Sequence, residues 1–179
     1  MTALVVGIGV LRATPPPPPP VDPLATRLAS VDTSTMTVRR AGFCSALPDA
    51  TVAAALGGRV VTRSAWRPGD RTQPTPQVQD IVDEYGCSWS TASGAEARAW
   101  VFAAPVTPQW AGDLVRMAPQ AGCHPVATAP FGAPASALSC GSTTVLRGLF
   151  GDAWLSCALT SHDLDLVGRW CVAVARAAG

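Results

Sequence analysis

Six cysteines constrain the fold of this chain more than any other feature of its sequence. They are Cys44, Cys87, Cys123, Cys140, Cys157 and Cys171. None belongs to a CxxC pair, the closely spaced arrangement from which zinc ribbons and fingers are built. An even number of cysteines in a chain of 179 residues is typical of disulfide bonding in an oxidising compartment. We therefore predict three disulfides rather than free or metal-bound thiols.

The low charge of the chain argues against one class of partner. Charged residues make up 14% of the chain and the net charge is +1, whereas soluble domains contain about 25% charged residues. Proteins that bind nucleic acid carry a strongly basic surface, so no nucleic-acid partner is predicted. With 48% hydrophobic residues the chain can bury a core, and one folded domain is expected.

The first 36 residues differ in character from the rest. Residues 3–11 are apolar and uncharged, but this run is too short to span a bilayer, and no basic segment precedes it as in a secretory signal. We interpret residues 1–12 as part of a membrane anchor or signal segment that begins upstream, which makes the membrane an expected partner; a frayed apolar terminus is the alternative. Residues 13–36, with six prolines at 15–20, are predicted to form a Pro-rich linker.

Hydrophobic spacing and turn residues predict the elements of the remaining domain, residues 37–179. These are a helix at 50–56, a strand at 59–65, a hairpin of 85–89 with 100–104, a helix from Trp110 to near Gly122, a hairpin of 143–150 with 153–160, and a last helix from about His162. Asp49 and Ser161 are the expected N-caps of the first and last helices, and Gly151-Asp152 is the expected two-residue hairpin turn. The pattern predicts an α+β fold in which an antiparallel sheet is covered by two or three helices and stapled by disulfides.

Three short motifs resemble an uncharacterised family of actinobacterial envelope lipoproteins and related extracytoplasmic sensor-like domains. They are FCSALP at 43–48, LGG at 56–58 and GCSW at 86–89. The resemblance implies a location in the cell envelope, a non-enzymatic role and a disulfide between Cys44 and Cys87. It brings no catalytic residues. The chain departs from the lipoprotein pattern because no cysteine follows the N-terminal apolar run, so the resemblance does not extend to lipid attachment.

The sequence leaves the other pairings open, since six cysteines allow many connectivities. We predict that consecutive cysteines pair, which adds Cys123–Cys140 and Cys157–Cys171 to the bridge that the resemblance implies. Each bridge would then join neighbouring elements. A Cys140–Cys157 bridge across the last hairpin is the alternative that would displace two of these pairs at once.

An Arg-rich segment around Trp66 is the candidate ligand-binding element. Arginines recur at every fourth residue from Arg59 to Arg71, but Pro68-Gly69 excludes a continuous helix. We predict a loop over residues 62–76 with a single exposed tryptophan, and a mobile solvated loop without a ligand is the alternative. The candidate binding residues are Arg63, Trp66, Arg67 and Arg71.

Catalytic motifs are missing from the sequence. His124 and His162 are the available near-neutral bases, but Ser161, His162 and Asp163 adjoin one another at a helix start, where capping explains them. His124 follows a cysteine assigned to a disulfide. The sequence contains no GxSxG, HExxH or phosphate-binding glycine loop. No catalytic, cofactor-binding or metal-binding residue is predicted.

Three functions are consistent with these features. The first is a non-enzymatic, membrane-tethered binding or sensor-like domain of the cell envelope that recognises an unidentified envelope ligand or protein. The second is an envelope hydrolase that uses His162 or His124, which requires a pocket with a histidine beside an unpaired Ser or Asp. The third is a purely structural envelope domain, which requires no sizeable pocket.

Overall fold

The backbone of the described residues is dominated by a large antiparallel sheet. The computed structural model describes residues 22–75, 78–118 and 122–179. The fold is α+β, as predicted. The strands are β1 (Val60–Trp66), β2 (Arg71–Thr75), β3 (Val78–Ile81), β4 (Glu84–Thr91), β5 (Glu96–Phe102), β6 (Cys123–Pro125), β7 (Ala135–Cys140), β8 (Thr143–Phe150) and β9 (Ala153–Leu159), and the helices are α1 (Asp49–Leu56), α2 (Pro108–Met117) and α3 (Leu164–Ala177).

Seven strands form the main sheet in the order β1-β4-β5-β9-β8-β7-β6, and β2 and β3 form a separate two-stranded ribbon. The predicted hairpin of β8 and β9 is confirmed: Phe150 pairs with Ala153 across the turn, and Gly151 takes a left-handed φ of 63° that the primed hairpin turns require. The predicted hairpin of β4 and β5 is confirmed as well, with Cys87 opposite Ala99, although its second strand is Glu96–Phe102 rather than 100–104.

The two faces of the main sheet are covered differently. The face that carries Cys87, Ala99 and Cys157, here called the inner face, packs against α1 and α3 and forms the main core. Its centre is an edge-to-face contact between Trp89 and Trp170, whose ring centroids are 5.6 Å apart. The opposite face, here called the outer face, is covered in part by α2.

The contacts of α2 form a second, smaller apolar cluster on the outer face. Its buried members are Val106, Ala111, Leu149 and Trp154, and Leu114 and Val115 of α2 pack against them. The helix begins at Pro108, with the Thr107 hydroxyl accepting a hydrogen bond from the Trp110 backbone N–H, and it ends at Met117. It is therefore shorter than the predicted helix, which ran to Gly122.

Part of the predicted linker belongs to the folded domain. Leu24 and Leu28 are each 5% exposed and lie in the main core, and the segment contains two 3₁₀ turns, Leu28–Ser30 and Thr33–Thr35. Leu28 rests on Gly168 of α3, where an added Cβ would lie 2.9 Å from the Leu28 Cβ. The fold thus includes residues from 22 onward rather than from 37, because apolar side chains spaced along an irregular segment can fill the groove beside a helix. The predictions for residues 1–12 and for the six prolines lie outside the described residues.

Two helix caps differ from the prediction. Pro48 occupies the N-cap position of α1 and Asp49 is the first helical residue, where its charge still suits the helix N-terminus. Asp163 caps α3 and accepts hydrogen bonds from the backbone N–H groups of Asp165 and Leu166. Ser161 stabilises the preceding turn instead, since its hydroxyl accepts a hydrogen bond from the Asp163 N–H.

Three disulfides connect neighbouring elements in the predicted pairing. Cys44–Cys87 ties the 3₁₀ turn Cys44–Ala46 to β4, Cys123–Cys140 joins β6 to β7, and Cys157–Cys171 joins β9 to α3. None of the helices in the described part of the chain is long and apolar enough to cross a membrane.

The bridges Cys123–Cys140 and Cys157–Cys171 close loops of similar length, with sequence separations of 17 and 14, but their surroundings differ. Cys157 and Cys171 are fully buried, whereas the other two cysteines are half-buried. Replacing either pair by alanines should lower the free energy of unfolding by about 3 kcal/mol through loop entropy. The core pair should lose about 1 kcal/mol or more in addition, because buried atoms are removed.

Urea unfolding of the two double-alanine variants under oxidising conditions measures this difference. Each variant serves as the loop-length control for the other. Equal losses would mean that the Cys157–Cys171 sulfurs contribute little to core packing.

Candidate functional site

The Arg-rich segment is not the long loop that the sequence predicted. Residues 60–66 form β1, which pairs with β4 along its length, and Arg71 begins β2. Only residues 67–70 turn, with Gly69 at φ 89° and the Arg67 backbone N–H donating to the Asp70 carboxylate at 2.9 Å. β1 therefore confirms the predicted strand at 59–65, and the predicted loop over residues 62–76 is wrong. The partner strand β4 is distant in sequence, so the local pattern of Arg, Pro and Gly did not show how far the strand extends.

Trp66 is held in place at the end of β1. It lies directly opposite Gly86, and its indole ring occupies the space over that glycine: a Cβ on Gly86 would lie 2.3 Å from the ring. The indole N–H donates to Glu84 at 3.3 Å, and the Arg98 guanidinium lies 4.9 Å from the ring centroid in a cation–π contact. The side chain is half-buried rather than exposed as predicted.

Trp66 forms a wall shared by two clefts. The first, here called the polar cleft, has a volume of about 580 Å³, and its lining includes Ser64, Trp66, Arg71, Glu84, Ser88, Glu96 and Arg98. The second, here called the aromatic cleft, has a volume of about 440 Å³, and its lining includes Gly42, Ser45, Trp66, Arg67 and Tyr85. Asp70 lines both clefts.

The polar cleft is lined by side chains of both charges. The basic ones are Arg71 and Arg98, and the acidic ones are Asp70, Glu84 and Glu96. Such a lining offers both donors and acceptors without a strong field of one sign. It suits a ligand with many hydroxyl groups better than a small, highly charged ion. The aromatic cleft adds the ring surfaces of Trp66 and Tyr85, which suit the carbon faces of a ring-shaped ligand.

Arg63 does not belong to this site. It lies opposite Trp89 and therefore points to the inner face, where its guanidinium forms an ion pair with Asp49 at 2.6 Å. The structure thus brings together Trp66, Arg67 and Arg71 of the four predicted residues.

Glu84, Tyr85 and Arg98 complete the site and were not predicted. All three lie in the β4–β5 hairpin, which the sequence did predict. Strand alternation places Arg98 on the same face as Gly86, but nothing local indicated that β1 would pair beside them.

The two histidines lie near one serine. The Ser139 hydroxyl is 3.5 Å from Nδ1 of His162, and His124 lies opposite Ser139 in the β6–β7 pair. Ser139 is 5% exposed, whereas both histidines are exposed. The linings of the polar cleft and the aromatic cleft do not include these residues. Part of the arrangement expected for a hydrolase is therefore present, away from the two clefts at Trp66.

Comparison of the chain with protein-family models, with curated proteins and with solved structures found no match.

The packing of Trp66 on Gly86 can be tested by substitution. Gly86→Ala should lower the free energy of unfolding by about 1–3 kcal/mol, because the new methyl group overlaps the indole ring. In a Trp66→Ala background the same substitution should cost less, since the main obstacle is gone. Gly58→Ala is the matched control: a Cβ there meets its nearest neighbour at an ordinary 3.6 Å. Urea unfolding of the four variants measures the coupling, and strictly additive losses would contradict the contact.

Proposed function

We propose that this protein is a non-enzymatic, membrane-tethered binding domain of the cell envelope, and that its ligand occupies the two clefts beside Trp66. The observation that carries the proposal is the position of that side chain. Its ring is fixed by Gly86, Glu84 and Arg98, yet it lines two open clefts. A rigid aromatic side chain with polar groups around it binds a ligand at low entropic cost.

The chemistry of the clefts favours an envelope glycan as the ligand. Sugar rings present carbon faces that contact aromatic side chains and hydroxyl groups that both donate and accept hydrogen bonds. The aromatic cleft offers the first kind of contact through Trp66 and Tyr85. The polar cleft offers the second through Ser64, Ser88 and the mixed charges around them.

An extracytoplasmic location is supported by the three disulfides, because such bridges persist in oxidising compartments. The resemblance of the FCSALP, LGG and GCSW motifs to envelope proteins points to the same place. Tethering through residues 1–12 remains part of the proposal.

Removing the Trp66 ring should weaken ligand binding. With soluble glycan fragments released from peptidoglycan as the probe, Trp66→Ala should reduce affinity by tenfold or more, roughly the loss typical of a buried aromatic anchor. Trp110→Ala is the matched control: that tryptophan is 40% exposed and stacks on Phe102, outside both clefts. Isothermal titration calorimetry of the oxidised proteins measures the affinities. Equal affinity of Trp66→Ala and wild type, or no binding by wild type, would count against the proposal.

The hydrolase alternative is tested at Ser139. A fluorophosphonate probe labels serine nucleophiles, and we expect no labelling of this residue because its hydroxyl is buried and 3.5 Å from His162, longer than an O–H···N hydrogen bond in a catalytic pair. Mass spectrometry of the labelled protein gives the result. Labelling that disappears in Ser139→Ala and in His162→Ala would favour the hydrolase instead.

A further inference from the structure

One line of residues crosses the outer face of the sheet from Trp66 to Ser136. In register order it contains Trp66, Gly86, Trp100, Ser156, Arg147 and Ser136, one residue from each of six adjacent strands. Residues that lie directly opposite one another point to the same face of a sheet. The line therefore places Arg147 of β8 on the same face as Trp66. Arg147 and Ser136 lie outside the linings of the polar and aromatic clefts, and Ser136 lines a separate cleft formed by residues 126–137.

Arg147 is a half-buried cation without a carboxylate partner. All 12 acidic residues of the chain lie in the part that the structure describes, and none of the ion pairs there involves Arg147. Its Nε is buried without a hydrogen-bond partner. Desolvation lowers the pKa of the Arg147 guanidinium from its ordinary value, because burial disfavours the charged form.

The side chains beside Arg147 are hydrogen-bond donors. Ser136 and Ser156 lie directly opposite it on the two neighbouring strands. The Ser136 hydroxyl is buried and, like Nε of Arg147, has no hydrogen-bond partner. A cation with two adjacent hydroxyl groups and no carboxylate has the composition of an oxyanion site.

The local packing explains why a bound anion would be held strongly there. Leu149 and Trp154, the next residues along β8 and β9 on the same face, are buried under Leu114 and Val115 of α2. Arg147 thus lies beside the helix-covered part of the outer face. An ion pair in such a partly desolvated place is stronger than one in open solvent.

We propose that Arg147 and Ser136 form an oxyanion subsite of the same ligand site, so that the ligand is an acidic glycan that carries carboxylate or phosphate groups. This inference rests on the proposed function. Strands are spaced about 4.8 Å apart, which places Arg147 about 14 Å from Gly86, three strands away. The acidic group of the ligand would lie at that distance from the part that contacts Trp66.

The experiment compares three oligosaccharides of equal length by calorimetry: a neutral glycan, an oligouronate and a phosphorylated form of the neutral glycan. Wild type should bind at least one acidic probe more tightly than the neutral glycan, and the tighter of the two identifies carboxylate or phosphate as the source. Arg147→Leu should weaken the acidic probe about 10- to 100-fold, the loss expected for a charge-assisted hydrogen-bonded pair, and leave the neutral glycan unchanged. Ser136→Ala should weaken it a few-fold.

The matched control is Arg59→Leu, which removes an exposed arginine just before β1 and should not alter any affinity. Arg147→Leu should keep or raise the melting temperature, because it removes a desolvated charge without a partner. If that variant does not fold, Arg147→Lys keeps the charge but loses the two-pronged geometry and should still weaken the acidic probe.

The outcomes separate this inference from the proposed function. Unchanged acidic binding by the Arg147 variants, or no preference of wild type for an acidic probe, overturns the subsite while the Trp66 clefts stand. Unchanged binding of every probe by Trp66→Ala overturns the proposed function itself.

Discussion

The pairing of β5 with β9 is the interaction on which the rest of the structure depends. It joins two hairpins that each form from neighbouring residues, β4–β5 and β8–β9, into one sheet. The register that sets Ala99 opposite Cys157 also sets Trp100 opposite Ser156. The first of these pairs builds the inner core and the second continues the line of outer-face residues toward Arg147. Because these contacts are far apart in sequence, they form only when the loop between the hairpins has been closed.

The same register gives the two faces opposite chemistry. On the inner face small and sulfur-containing residues of β4, β5 and β9 let α1 and α3 approach closely, and two of the three disulfides lie there. On the outer face α2 covers only part of the sheet, so polar and aromatic side chains of the same strands remain accessible to a ligand. Successive side chains of one strand point to opposite faces, so neighbouring residues can have different roles. In β4, Cys87 stabilises the inner face through its disulfide, and Gly86 makes room for Trp66 on the outer face.

Local signals in the sequence predicted the elements well and the site only in part. The β8–β9 hairpin follows from Gly151-Asp152 between two apolar runs, and the last helix follows from its apolar stripe, since both depend on neighbouring residues. The packed segment that includes Leu24 and Leu28 was missed because its apolar residues have no regular period. The arginines around Trp66 identified it in the sequence as a candidate binding residue. Glu84 and Arg98 contact Trp66 only because β1 pairs with the β4–β5 hairpin. The spacing of residues within one segment does not predict which distant strand that segment will pair with.

Arg147 has no structural role that explains its charge. Arg147 lies in the central strand β8, beside helix α2. Burial there disfavours the charged form of its guanidinium group. An apolar side chain of similar length would fill the same space without the cost of desolvating a cation. Stability alone would therefore favour replacing it. In the proposed subsite, where Arg147 lies in register with Trp66 and between two serines, the negative charge of the bound ligand offsets this desolvation.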